Sequence, residues 1–209
     1  MEFNQKNFYK EREIKMKKFL MLVALILSGS AAAAPITEMP ERLGQFTENL
    51  DTVSATFRQT KIIPDSIKKF QSSGQVKFQR GTGFIWAQTK PSKQTFVSTT
   101  DKYCINGRMR DLTSMPYFYY VRSIIDDTLN GDIDALNTVF FVDYNEYNAN
   151  QWQLTARPRL TSVRDFVQEF VMYGTITDLD KIVMTYQDGT IIIIEFKRMN
   201  TEIPDEINC

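Results

Sequence analysis

The chain has 209 residues, 25 basic and 25 acidic side chains, and no histidine. The missing imidazole excludes Ser-His-Asp and Cys-His nucleophilic chemistry and the commonest zinc sites. The charge balance lacks the basic excess of a nucleic-acid-binding domain, so no nucleic-acid partner is expected.

Near the start, Lys15, Lys17 and Lys18 surround Met16, an apolar run occupies residues 19–27, and "SGSAAAAP" supplies small residues in an A-x-A pattern. That is the layout of a secretory signal peptide, with Met16 as the start. The run is shorter than the roughly 20 residues needed to span a bilayer. A bond to proline is a poor scissile bond, so cleavage is placed after Ala33. Residues 1–33 are then a signal peptide with upstream residues, and residues 34–209 form a single domain of a size that buries a substantial core. With no cysteine just after the cleavage site, the expected product is a soluble, non-lipidated protein of the periplasm. It carries 19 basic and 22 acidic residues.

The elements in chain order are mostly strands. Met39, Leu43, Phe46 and Leu50 recur at helical spacing and predict an amphipathic helix over 38–50. Val53, Ala55 and Phe57 then alternate with Thr52, Ser54 and Thr56 as a first strand. Residues 70–79 and 84–89 read as two strands around Gly81-Thr82-Gly83. In the first of these, Val76, Phe78 and Arg80 share one face, so an arginine ends an apolar row. In the second, Phe84 and Trp86 share one face and Ile85 and Ala87 the other, offering apolar side chains to both sides.

"QTFVSTT" and "YCIN" follow as strands, with Asn106-Gly107 marking a tight hairpin turn. Cys104 lies here, and the second cysteine, Cys209, is the last residue. In an oxidising compartment an even count favours a Cys104–Cys209 bridge, the alternative being a buried thiol at 104 and a terminal thiol at 209.

"PYFYYVRSIIDDTLNG" places proline at a first helical position and Gly131 at a C-terminal stop, with a second short helix over 132–137. Asp126, Asn130 and Gly131 fall at the first, fifth and sixth places of a calcium loop, but Thr128 and Asn137 break the pattern, so no metal is expected. Asp126-Asp127, and Asp143 with Glu146, read as solvated charges rather than an acid and base pair. No cofactor is expected, and the chain does not read as an enzyme.

Strands return over 139–147 and in "QWQLTARP", and the last hairpin, "KIVMTYQDGTIIIIEFKRM", turns at Asp188-Gly189. Its 191–194 isoleucine run is expected to be buried on both faces. "TSVRDFVQEFVMYG" fits either helix or strand.

The serial order of "SATFRQ", "SSGQVKFQRGTGFIWAQTKP", "FVST", "MPYF" opening a helix, "WQLTARP" and "DGTIIIIEF" resembles the LolA-like periplasmic carriers of outer-membrane lipoproteins, over nearly the whole mature chain. The resemblance implies a mainly β (α+β) fold, an incomplete, curved antiparallel β-barrel with an N-terminal helix and a short helical lid. Residues 164–172 then become a strand. It implies an apolar interior that shelters acyl chains, with Val76, Phe78, Phe84 and Trp86 in the cavity wall and Phe118, Val121 and Ile125 in the lid. Arg80 would latch the lid by bonding its backbone carbonyls, a task its five-donor fork suits. The family has proline after this arginine, whereas Gly81 follows here. The implied partners are lipoprotein acyl chains or another amphiphile, an inner-membrane release complex and an outer-membrane acceptor, with the carrier a monomer. The rival reading is a non-shuttling accessory module of an envelope glycolipid or lipid export system.

Overall fold

The computed structural model describes residue 36 and residues 38–66, 68–99, 102–110 and 116–199, all within one compact unit, Pro35–Cys209. The signal peptide read from residues 1–33 lies outside the described residues, as does Cys209. Helix α1 (Glu41–Glu48) is followed by six strands: β1 (Thr52–Ile62), β2 (Lys69–Gln79), β3 (Gly83–Lys90), β4 (Gln94–Thr99), β5 (Tyr103–Ile105) and β6 (Arg108–Arg110). Then come α2 (Pro116–Asn130), α3 (Ile133–Val139), β7 (Phe140–Glu146), β8 (Gln151–Pro158), α4 (Thr161–Arg164), β9 (Val167–Thr175), β10 (Leu179–Tyr186) and β11 (Ile191–Arg198).

The eleven strands form one antiparallel sheet in the order β6-β5-β4-β3-β2-β1-β11-β10-β9-β8-β7. β6 and β7 are its edges, so the barrel is open. The sheet is nevertheless curved, because Phe96 of β4 and Phe170 of β9, six strands apart in that order, line one cavity. A sheet that curls this way points one row of each strand inward. Cross-strand pairs Ala55–Val76, Val76–Trp86, Phe78–Phe84 and Trp86–Phe96 lie on that concave face.

The turn chemistry follows the sequence. Asn106 and Gly107 take φ of 50° and 72°, the pair of positive angles a two-residue hairpin needs. Gly131, at φ 76°, ends α2. Asp132 then caps α3, its side chain accepting from the Ala135 N–H at 2.9 Å. Pro116 is the first residue of α2, where its missing N–H costs nothing.

The core is largely concave-side. Leu43 and Phe46 of α1 and Ile124 of α2 are fully buried over the sheet, and Trp152 stands 5.1 Å from Phe46 between ring centroids. Ile85, Val97 and Cys104 make a separate small cluster, with Ala87 packed against it. The apolar second face read from "FIWA" is therefore occupied.

Three expectations are corrected. The isoleucine run of β11 is not buried on both faces: only Ile194 is buried, while Ile191 to Ile193 stay partly exposed. One face of β11 borders an incompletely filled cavity, which Ile194 lines, and the other carries no covering layer among the described residues. The segment at 161–175 is neither all helix nor all strand. One turn, α4, precedes β9, and the Gln187 N–H donates to the Phe166 carbonyl at 2.9 Å, tying the turn to the last hairpin. The strand thus spans 167–175 rather than 164–172, and the second short helix, read over 132–137, spans Ile133–Val139.

Candidate functional site

Two adjoining apolar cavities lie between the concave face and α2, with volumes of about 300 Å³ and about 80 Å³. Phe84, Trp86, Ile125 and Ile182 line both. Protein interiors normally close such space, because each Å³ of apolar void costs about 24 cal/mol. By that measure an enclosed void of the larger volume would cost on the order of 7 kcal/mol, comparable to the whole stability of a domain. Both cavities open toward solvent, which spares much of that cost, and bulky rings frame their walls. Phe57 and Trp86 stack with centroids 3.9 Å apart, Phe196 meets Trp86 edge-on at 6.2 Å, and Phe84 lies 5.7 Å from Phe96.

The residues nominated from sequence fall as follows. Val76, Phe78, Phe84 and Trp86 all line the smaller cavity, and Ile125 contributes from α2. Phe118 and Val121 belong to α2, but their side chains lie outside the described residues. Sequence reasoning missed the far wall: Phe170 and Met172 of β9, Ile182 and Met184 of β10 and Ile194 of β11. Their alternation was visible, but only the closing of the sheet brings them opposite β3 and β4. It also missed Arg122 and three glutamines, Gln59, Gln88 and Gln94, on the larger cavity.

Arg80 sits at the C-terminal end of α2. Its backbone N–H donates to the Asp51 carbonyl at 3.0 Å, and its Nε lies 3.5 Å from Asp51 Oδ1. Its Nη1 donates to the carbonyl of Asn130, the last residue of α2, at 3.4 Å. Helix ends leave carbonyls without intrahelical partners, and a guanidinium can supply the donor. Nη2 is buried with no hydrogen-bond partner among the described residues. Gly81 takes φ 69°, which a proline ring cannot adopt, so this turn differs from one built on arginine-proline.

Arg122 is 9 % exposed and its Nε donates to Asp126 Oδ2 at 2.8 Å, one turn along α2. Burial pushes the Asp126 carboxyl above the usual carboxylate range, and the charge and hydrogen bond of Arg122 pull it back in part. Asp126 is thus paired within a helix rather than solvated. Among the described residues no group of three or more acidic or cysteine side chains could hold a metal ion, and no helix is long and apolar enough to cross a membrane.

An outer-membrane lipoprotein carrier protein of Methylibium petroleiphilum is 40 % identical over 81 residues, 39 % of this chain and 38 % of the relative. That of Vibrio vulnificus is 36 % identical over 83 residues, 40 % and 39 % of the two chains. The matches thus span about two fifths of the length of these curated relatives. Among solved structures, a LolA superfamily protein of Nitrosomonas europaea superposes with a TM-score of 0.43 at 11 % identity, over 81 % of this chain and 96 % of the other. A chain of the MucA/MucB complex structure of Pseudomonas aeruginosa gives 0.44 at 12 % identity, over 81 % and 60 %. The model of the outer membrane lipoprotein carrier protein LolA matches residues 48–206, through every strand and helix after α1. The chain belongs to the LolA family.

Proposed function

We propose that this protein is a periplasmic carrier that binds the acyl chains of lipoproteins, or of a related amphiphile, in the concave cavity and moves them toward the outer membrane. The observation that carries this reading is the unfilled apolar space beneath α2, walled by Phe84 and Trp86 and covered by helices, Ile125 of α2 and Phe46 of α1, rather than by sheet. Membership of the LolA family supports it, as does the wording of the relatives' names. In this reading an inner-membrane complex loads the carrier, an outer-membrane acceptor unloads it, and no catalytic step is involved.

Phe84 is the wall residue to test. It is 7 % exposed, shared by both cavities and packed against Phe96. Phe84→Ala removes ring surface that an acyl chain would cover, at about 25 cal/mol per Å² of apolar area. The affinity for a neutral acyl fluorophore should fall roughly tenfold, the equivalent of about 1.4 kcal/mol. Unchanged affinity in a folded variant counts against the cavity.

Arg80 is the proposed latch of α2. Its contact to Asn130 is long and its side chain partly solvated, so its worth lies near the low end for a charged hydrogen bond, about 1 kcal/mol. Arg80→Leu should shift the affinity for the same probe about fivefold without lowering thermal stability by more than about 1 kcal/mol. A variant indistinguishable from the parent would make Arg80 a surface charge.

In the periplasm, Cys104 would be joined to Cys209. Cys104 is 1 % exposed in β5, while Cys209 lies outside the described residues. Intact mass of the native protein should be two hydrogens below that of the reduced form. Alkylation of both thiols without reductant would refute the bridge.

A further inference from the structure

The larger cavity is not apolar throughout, and its polar groups are gathered at one end. β1 and β3 run in the same direction on either side of β2. Along β1 the inward row goes from Val53 through Ala55 to Gln59, and along β3 from Phe84 through Trp86 to Gln88. β4 runs the other way and begins with Gln94, directly opposite Gln88. Three strands therefore place a glutamine at the same end. On α2, Arg122 lines this larger cavity, Ile125 lines both, and Leu129, two turns on, lines only the smaller one. The helix runs from the polar end, at Arg122, toward Asn130 and Arg80.

A guanidinium that is nine-tenths buried beside aromatic and aliphatic walls is costly unless something offsets its charge. Asp126 does so in part, and it does not line either cavity. It engages Nε, one of the five N–H donors of the side chain, in a single-point contact rather than a fork-to-fork pair. Asp126 Oδ1 is buried with no partner among the described residues, so the ion pair is not a closed network. Asp126 thus orients a cation at the head of a greasy slot.

We infer that Arg122 receives the anionic headgroup, a carboxylate or a phosphate, of an amphiphile whose chain lies along Ile125 and Leu129. This rests on the cavity being an acyl-chain site and adds to it a charge preference that a purely hydrocarbon slot lacks. Both oxyanions match the guanidinium fork.

The test compares three ligands of equal chain length, dodecanol, dodecanoate and dodecyl phosphate, each below its micelle concentration at pH 8, by displacement of a neutral acyl fluorophore. The wild-type protein should bind one or both anions at least tenfold more tightly than dodecanol, and the tighter anion identifies the headgroup. In Arg122→Gln/Asp126→Asn, which removes both charges and leaves no unpaired buried carboxylate, the preference should vanish while dodecanol affinity is kept. Arg122→Lys, retaining a point charge without the fork, should keep part of it. Equal affinities in the wild-type protein, or a preference that survives the double substitution, would overturn the assignment while leaving the cavity intact. Failure of all three ligands to displace the fluorophore would instead remove the acyl-chain reading and this inference with it.

Discussion

Trp152→Ala should be the most damaging single truncation in this protein, lowering unfolding free energy by about 3–5 kcal/mol. The indole is 1 % exposed and packs against Phe46, joining α1 to the sheet. Its Nε1 donates to the Thr175 carbonyl at 2.7 Å across the β8–β9 pair. Truncation therefore opens a large void and strips a partly buried carbonyl of its donor, two costs that add. Gly174 lies directly beneath the ring, where a Cβ would come within 2.3 Å of Cζ2, so no neighbouring side chain stands ready to refill the space. In urea the midpoint should fall with little change in slope. Tyr147→Ala, at an exposed ring 62 % accessible, is the control and should stay within about 0.5 kcal/mol. A Trp152→Ala midpoint near that of the control would mean that α1 does not clamp the sheet.

Gly83→Ala should rank next. Gly83 opens β3 at φ 134°, where side chains rarely go, and a Cβ would sit 1.9 Å from the Ser98 carbonyl oxygen. The conformation alone costs about 1–3 kcal/mol, and the clash with β4 backbone adds to it, because neither strand can retreat without breaking the Gly83–Thr99 pairing. Gly81, two residues earlier, separates the two effects. It has φ 69° but open space around its Cα, so Gly81→Asn should be nearly neutral, since asparagine tolerates the left-handed region. Thermal melts of the two variants should differ by several degrees. Equal melting temperatures would mean that β4 does not press on the start of β3 as described.

Much of this architecture was legible because local chemistry and fold agree. Alternation in β2 and β3 groups Val76 with Phe78 and Phe84 with Trp86; only the family resemblance put both pairs in one cavity wall, and all four line the smaller cavity. Pro116, Asn106-Gly107 and Gly131 announce a helix start, a hairpin and a helix stop because each has one backbone conformation it favours. Arg80 stood out by interrupting an apolar row. Arg122 did not, since an arginine within "YYVRSII" has the same spacing whether it faces solvent or a cavity. The glutamines at 59, 88 and 94 were likewise hidden, as a polar residue near a strand end usually means water. Their common location depends on strand register across β1, β3 and β4, and the far wall depends on curvature that brings β9 and β10 round to β4. Neither is written in any one segment.

The central claim is that acyl chains lie in the concave cavity, and the two tryptophans permit a direct test. Trp86 lines both cavities, whereas Trp152 lines neither and lies behind Phe46, whose ring borders the smaller one. A neutral stearoyl ester carrying a nitroxide on its chain should be titrated into Trp152→Phe, which keeps only Trp86, and into Trp86→Phe, which keeps only Trp152. Saturable, strong quenching of Trp86 emission with weak quenching of Trp152 is the expected result. Equal quenching of the two, or none of Trp86 at saturating probe, would place the chain elsewhere and contradict the carrier reading.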